Sequence, residues 1–236
     1  MPADISALLI QIAIIAVPII IAITFHEAAH GFVAKHCGDD TAYRLGRVTF
    51  NPIRHIDPIG TIILPAALYL TTGFMFGYAK PVPVNFRRLR QPRRDMILVA
   101  AAGPGINILL AVVSAILLHL VPQYLAPNAG SLAMQVIGSI LVVSVTVNVI
   151  LAVFNMLPLP PLDGGRVAVG LLPYPLSLYL SRLERYGMLI LLGAIFLLPW
   201  IGSQLGIDLA IVHWIIGPVA EWIENFIYWI TGNGPV

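Results

Sequence analysis

The chain has 236 residues, of which 58% are hydrophobic and 10% are charged, and its mean hydropathy is +0.90. This composition is far too apolar for a soluble domain of that length and predicts a polytopic membrane protein. The formal net charge of +2 is small, so the positions of the basic residues report membrane topology rather than nucleic-acid binding. A single cysteine, Cys37, excludes an internal disulfide framework and a cysteine-rich metal site.

The first apolar stretch, at about residues 5–34, is too long for a cleaved signal and lacks a basic start, so we expect a retained spanning helix. It contains the run FHEAAHG at Phe25–Gly31. On a helix, side chains at i and i+4 lie one above the other, so His26 and His30 can bind one metal ion. Glu27 projects from the neighbouring turn and can act as general base toward a water molecule at that metal. Ionisable side chains in apolar spans are costly and usually functional, which disfavours two histidines that only pack.

The next region, residues 35–58, is more polar, and the pattern of Tyr43–Phe50 predicts a short strand or hairpin. Residues 59–78 are apolar again but are interrupted by Gly60, Pro65 and Gly73. The densest basic run of the chain follows, with Lys80, Arg87, Arg88, Arg90, Arg93 and Arg94. Basic segments stay in the cytoplasm, which places both ends of 59–78 on one side of the membrane and predicts a re-entrant segment.

Further apolar spans are predicted at about 96–121, 132–157, 186–201 and 208–231. The predicted fold class is an all-α polytopic membrane protein with about five transmembrane helices, a re-entrant or short extra hydrophobic segment and a small membrane-associated β element. We expect one integral-membrane domain over residues 1–236, with a catalytic core at about 5–172 and C-terminal helices at about 175–232.

A catalytic zinc site needs a third protein ligand and an open position. Asp163 is the best candidate, because it lies in NMLPLPPLDGG at Asn155–Gly165, where prolines and glycines must interrupt a helix at membrane depth. The predicted topology returns this segment to the cytoplasmic side, at the depth of His26 and His30. Asp163 can alternatively cap the helix that begins near Gly164, and the two roles can coexist.

These two motifs, in this order, resemble the site-2 protease family of intramembrane zinc metalloproteases. Three further segments are similar to that family, namely NPIRHIDPIGT at Asn51–Thr61, AKPVPVN at Ala79–Asn85 and GPGIN at Gly103–Asn107. The resemblance covers about residues 20–170, and the last two apolar segments match no motif of the family. The sequence has no long insertion that would form a PDZ domain and no extension large enough for a pair of CBS domains.

The resemblance implies one Zn²⁺ per chain, with His26, His30 and Asp163 as metal ligands and Glu27 as the residue that activates water. It also implies a catalytic part for Asn155. The amide of this residue can assist transition-state binding, or it can form hydrogen bonds to the broken backbone of its segment, and both interpretations stay open.

His55 and Asp57 also have two open interpretations. They can contact the substrate, form a gate or supply a rival third ligand to the metal. Alternatively, Asp57 starts a turn before Pro58, and His55 packs beside the re-entrant segment.

The resemblance further implies hydrolysis of peptide bonds within or near the transmembrane segments of other membrane proteins, in regulated intramembrane proteolysis. The expected partners are a transmembrane protein substrate and the lipid bilayer, with no nucleic acid. We expect a multi-pass protein of a bacterial-type cell membrane, with its active site toward the cytoplasm. The strand predicted at Tyr43–Phe50 can pair with an unwound substrate.

Three other classes of function compete with this interpretation. A transporter or channel would use buried His, Glu and Asp side chains to relay protons or bind an ion. A di-iron desaturase would need several histidine boxes, whereas the chain has six dispersed histidines. An inactive scaffold would have no need of Glu27 beside the metal.

Overall fold

All regular structure in the described part of the chain is helical. The computed structural model describes residues 5–63, 67, 70, 77, 80–125 and 131–234. Four helices in these residues are long and apolar enough to cross a membrane, namely Ile5–His36, Pro92–Val121, Leu132–Asn155 and Glu184–Leu205. The prediction of an all-α integral membrane protein is therefore confirmed.

Within the described residues the elements follow one another as nine α-helices and several short turns. The helices are α1 (Ile5–His36), α2 (Thr41–Arg44), α3 (Pro92–Leu125), α4 (Leu132–Asn155), α5 (Asp163–Leu171), α6 (Leu176–Arg182), α7 (Glu184–Leu192), α8 (Leu198–Leu205) and α9 (Ile211–Ile230). Single 3-10 turns lie at Pro52–Arg54 and Phe86–Arg88, and π-helical turns lie at Pro58–Ile63 and Gly193–Leu197. The second π-helical turn joins α7 and α8 into one long helix.

The strand or hairpin predicted for Tyr43–Phe50 is not formed. The region instead holds the end of α2 and a turn at Gly46, whose φ of +64° suits glycine. The backbone N–H of Gly46 donates to the Tyr43 carbonyl, and the N–H of Arg47 donates to the Ala42 carbonyl, both at 2.9 Å. These local hydrogen bonds form a turn. The backbone groups that take part in them are therefore not available to pair with a strand.

The expected count of about five spanning helices is not confirmed. The fifth predicted span is helical as α9, but α9 is not among the four helices that are long and apolar enough. His213, Glu221 and Glu224 lie within α9 and lower its hydropathy. The re-entrant prediction for 59–78 falls largely outside the described residues, which contain the π-helical turn at its start.

The core of the helical bundle lies between α3, α4 and α9. Ala111 and Ala115 of α3 are fully buried against Val145 and Val149 of α4. Four residues of α9 complete this cluster, namely Ile216, Ala220, Ile227 and Tyr228. Small side chains let membrane helices approach closely, so the alanines set the distance between α3 and α4.

A larger side chain at Ala111 tests this packing. Ala111 has 0% exposed surface, so Ala111→Leu must displace α4 or α9, and we expect a destabilisation of about 1–3 kcal/mol. Thermal unfolding of the purified protein in detergent measures the effect. Val113→Leu is the matched control because Val113 lies on the same helix and is 43% exposed. Equal unfolding midpoints for the two variants would contradict the packing described here.

Candidate metal centre

His26, His30 and Asp163 converge in space although they come from distant parts of the chain. The Nε2 atom of His26 lies 3.1 Å from Asp163 Oδ2, and the Nε2 atom of His30 lies 3.3 Å from the same oxygen. All three side chains are buried, and their three ligand atoms lie within 4.8 Å of one another. Among the residues that the structure describes, no other group of His, Cys, Asp and Glu side chains converges in this way.

Hydrogen bonds on the far side of each ring orient the two imidazoles. His26 Nδ1 donates to Asn107 Oδ1 at 2.5 Å, and His30 Nδ1 donates to the Val99 carbonyl at 2.7 Å. Because both acceptors are carbonyl oxygens, each ring carries its proton on Nδ1. Each Nε2 lone pair is therefore left free for a metal ion.

The donor set fits a zinc ion. Two imidazole nitrogens and a carboxylate oxygen face one another in a buried space, where lone pairs repel unless a cation lies between them. A tetrahedral zinc ion with bonds of about 2.0–2.1 Å would separate its ligand atoms by about 3.3 Å. The observed separations of 3.1 and 3.3 Å match that value.

The sequence around Asp163 explains how a short carboxylate reaches the histidines. Asp163 is the first residue of α5, and its N-cap position is held by Leu162, without a side-chain cap. The alternative role of Asp163 as the N-cap of this helix is therefore not formed. At Gly164, a Cβ would lie 2.2 Å from the Met156 carbonyl oxygen, so only glycine lets the start of α5 close onto the preceding loop.

The ionisation of Asp163 suits a metal ligand. This residue lies outside the four helices of membrane-spanning length. Burial alone raises the pKa of its carboxyl group, but when both imidazoles also carry a proton on Nε2, hydrogen bonds and charge interactions with His26 and His30 outweigh burial and hold that pKa well below its usual range. The carboxylate is therefore ionised at neutral pH, which is the form that binds a cation.

Helix α3 supplies two residues whose part in the site sequence reasoning missed. A Cβ at Gly103 would lie 2.5 Å from His30 Nε2 and 2.6 Å from His26 Nε2, so the absent side chain makes room for the imidazoles. Asn107 is fully buried and holds the His26 ring. The available signal was the i, i+4 spacing of this glycine and asparagine within a span, which places both on one helix face.

The support of His26 continues into α4 as a chain of hydrogen bonds. Asn107 Nδ2 donates to Asn148 Oδ1 at 2.8 Å, and Asn148 Nδ2 donates to the Ser144 carbonyl at 2.8 Å and to the Ser144 hydroxyl at 3.3 Å. The Ser144 and Ser114 hydroxyls then lie 2.8 Å apart. Asn148 is fully buried, as a polar side chain inside a bundle can be when its hydrogen bonds are made.

Glu27 is held by backbone rather than by a charged partner. It is partly exposed, and its Oε2 atom accepts a hydrogen bond from the Val82 N–H at 2.7 Å. Val82 belongs to an extended segment that follows the partly described residues 64–79. The base predicted from sequence is therefore fixed by a residue that lies 55 positions away.

The remaining predicted residues lie outside the metal-ligand group. Asn155 ends α4, and its Nδ2 donates to the Leu151 carbonyl at 2.9 Å.

His55 is buried and its Nε2 donates to the Thr49 carbonyl at 2.9 Å. Asp57 Oδ1 accepts from the backbone N–H groups of Ile59 at 3.0 Å and Gly60 at 2.7 Å, so it caps the π-helical turn. Neither His55 nor Asp57 joins His26, His30 and Asp163 as a rival metal ligand.

Gly103 provides a test of the metal centre. In Gly103→Ala the added methyl group must push the imidazoles apart, and we expect zinc affinity to fall by about 10- to 100-fold, as when the support of a ligand is removed. Titration against a chromophoric chelator measures the affinity. Gly105→Ala is the matched control, because a Cβ there meets nothing within 4 Å. If both variants bind zinc as tightly as the parent chain, the proposed ligand geometry is wrong.

Comparison with known proteins agrees with this geometry. The sequence profile of Peptidase family M50 matches residues 14–130 and 124–198. The chain is 39% identical over 176 residues to YwhC, a candidate zinc metalloprotease of Bacillus subtilis (strain 168), which covers 75% of this chain and 77% of that protein. It is 30% identical over 146 residues to Rip2, a candidate zinc metalloprotease of Mycolicibacterium smegmatis, covering 61% of this chain and 52% of Rip2.

No solved structure matches the chain. The family profile nevertheless covers most of its length, and YwhC is similar over three quarters of it. The chain belongs to Peptidase family M50, the site-2 protease family, and is a membrane-embedded zinc metalloprotease.

Proposed function

We propose that this protein hydrolyses peptide bonds within or near the transmembrane segments of other membrane proteins, as in regulated intramembrane proteolysis. The observation that carries this proposal is that Asp163 is buried together with His26 and His30 of α1, a helix of membrane-spanning length. A transmembrane helix hides its carbonyl groups in intrahelical hydrogen bonds, so the substrate must unwind locally before it reacts. Substrate segments with helix-weakening residues therefore suit this site.

We assign the three converging side chains as the zinc ligands. When bound there, zinc supplies Lewis-acid polarisation of the scissile carbonyl and of the attacking water. Asn107 and Val99 keep the imidazole rings turned so that both Nε2 atoms stay available. Asp163 contributes a negative charge that holds the cation in apolar surroundings.

Glu27 is the proposed general base. Its Oε2 atom is fixed by the Val82 N–H, and its Oε1 atom has no hydrogen-bond partner among the described residues. This leaves one carboxylate oxygen to accept a proton from the attacking water and to pass it to the leaving amine. The residue directly follows His26 on α1, so base and ligand share one rigid element.

Asn155 is the proposed donor to the oxyanion that develops on the scissile carbonyl. It occupies the last position of α4, just before the loop that presents Asp163. Its amide now bonds to a helix carbonyl at 2.9 Å, and a rotation of the side chain would free the N–H for the substrate.

His55 and Asp57 are proposed to act on substrate entry through the segment between them and Lys80. Asp57 caps the turn at Pro58–Ile63, and the Lys80 N–H donates to the His55 carbonyl at 2.9 Å. These contacts hold the chain near Pro58 and at Lys80, which suits a part for His55 and Asp57 in substrate contact or gating.

The active site is proposed to face the cytoplasm of a bacterial-type cell. Basic residues gather near the end of α1 and before α3, close to the metal-binding end of the bundle, namely Lys35, Lys80, Arg87, Arg88, Arg90, Arg93 and Arg94. The positive-inside rule assigns such a cluster to the cytoplasmic side. Both named relatives are bacterial proteins.

Replacement of Glu27 tests this function. Glu27→Gln keeps the shape of the side chain but removes its basicity, so we expect unchanged zinc content and a fall in cleavage of about 10²–10⁴-fold. The assay uses the purified full chain in lipid vesicles with a single-span substrate that carries glycine and proline in its membrane segment. Zinc is measured by mass spectrometry of the same samples.

Two controls accompany this test. Glu184→Gln changes a carboxylate whose side chain is 53% exposed and should cleave like the parent chain. A chelator should abolish cleavage by the parent chain, and added zinc should restore it. Full cleavage by Glu27→Gln with zinc bound would exclude Glu27 as the base.

A further inference from the structure

The segment Lys80–Arg90, which we call the strap, is tied to the end of α1 and the residues after it. The Lys80 N–H donates to the His55 carbonyl and the Arg90 N–H to the Cys37 carbonyl, both at 2.9 Å. Between these points the Asn85 N–H donates to Asp39 Oδ2 at 2.6 Å. The strap therefore has a fixed path past α1, the helix that carries Glu27.

Within the strap, one peptide group holds Glu27. Pro81 and Pro83 have no backbone N–H, so Val82 supplies the only backbone donor in this run of three residues. The Val82 N–H bonds to Glu27 Oε2 at 2.7 Å, and its side chain is buried with 7% exposure. The position of the Glu27 carboxylate therefore depends on where the Pro81–Val82 peptide group lies.

Arg47 holds the peptide group before this one by its shorter hydrogen bond, and the Pro81–Val82 group itself by its longer one. Its Nη2 donates to the Lys80 carbonyl at 2.7 Å and to the Pro81 carbonyl at 3.4 Å. The Pro81 carbonyl and the Val82 N–H belong to one planar peptide unit and point in opposite directions when that unit is trans. A donor on the oxygen also polarises the N–H on the other side, which strengthens its bond to a carboxylate.

The burial of the Arg47 guanidinium is energetically unfavourable. It has 8% exposure, no carboxylate lies within salt-bridge distance among the described residues, and its Nε atom has no partner there. A buried charge without a counter-ion opposes folding, and an apolar side chain of similar size would cost less. Both of its hydrogen bonds go to the strap, so the guanidinium serves to hold the strap in position.

We propose that Arg47 is a positioning residue that fixes the Glu27 carboxylate through the Pro81–Val82 peptide group. This inference rests on the proposed role of Glu27 as the general base. The hydrogen bonds of Arg47 go to the strap and not to His26, His30 or Asp163. Its loss therefore misplaces the base while the zinc ligands, which are held by α3 and α5, keep their positions.

The test compares Arg47→Met with Arg44→Met, whose side chain is 70% exposed, in the vesicle assay with the single-span substrate. For Arg47→Met we expect unchanged zinc content and KM and a kcat that is about 10- to 100-fold lower, the scale of a misplaced catalytic group. Arg44→Met should behave as the parent chain. Unchanged kcat in Arg47→Met with zinc bound would overturn the proposal.

A double variant separates positioning from general structural damage. If Arg47 acts through Glu27, adding Arg47→Met to Glu27→Gln should not lower the residual cleavage further, because the base it positions is already lost. A second full loss of about 10- to 100-fold in the double variant would overturn the proposal. Normal cleavage by Glu27→Gln alone would instead refute the base assignment, which is a different result.

If Arg47→Met does not fold, Arg47→Lys can be used to test the same proposal. A lysine ammonium group retains the charge and three donors, but it lies on a flexible stem and lacks the rigid planar geometry of a guanidinium, so it holds the two carbonyls less firmly. We expect it to fold, to bind zinc and to show a kcat between those of the parent chain and Glu27→Gln. A kcat equal to that of the parent chain would show that the grip on the peptide group has no part in placing Glu27.

Discussion

The structure depends on the approach of one carboxylate, from Asp163, to two imidazoles inside an apolar bundle. The Asp163 oxygen lies 3.1 and 3.3 Å from the two imidazole nitrogens, and such close lone-pair-bearing atoms repel without a shared cation, so the surrounding fold must hold them together. Gly103 permits the close contact between α1 and α3, and Gly164 permits the close contact between α5 and the loop before it. The metal centre is therefore built where helices meet at positions that lack side chains.

The positions of the candidate metal ligands were predictable because their sequence signals are local. The i, i+4 spacing of His26 and His30 and the prolines and glycines around Asp163 can each be read within about a dozen residues. Asn107, Val82 and Arg47 could not be assigned in this way, because each acts on a partner far away in sequence. The strand at Tyr43–Phe50 was wrong because turn hydrogen bonds at Gly46 override the β-forming composition. The polar side chains of α9 lower its mean hydropathy, and α9 is not among the four helices that are long and apolar enough to cross a membrane.

Metal and base are supported by different parts of the chain. Helices α3 and α5 surround the proposed zinc ligands, whereas a non-helical segment held by Arg47 and His55 reaches Glu27, the proposed base. Membership of the zinc metalloprotease family removes the transporter and di-iron interpretations. The division also means that metal binding and proton transfer can be altered separately.

The hydrogen bonds that run from His26 through Asn107 and Asn148 to Ser144 all point the same way along the chain. Each group donates to the next, so reversing one amide would set oxygen against oxygen unless its neighbours also turned. The position of the ring proton on His26 is thereby set by the Ser144 backbone carbonyl on α4, which can only accept. Helix α4 thus determines which nitrogen of His26 carries the proton. Replacing either asparagine amide by a carboxylate would therefore affect the candidate metal ligand at the end of this chain of hydrogen bonds.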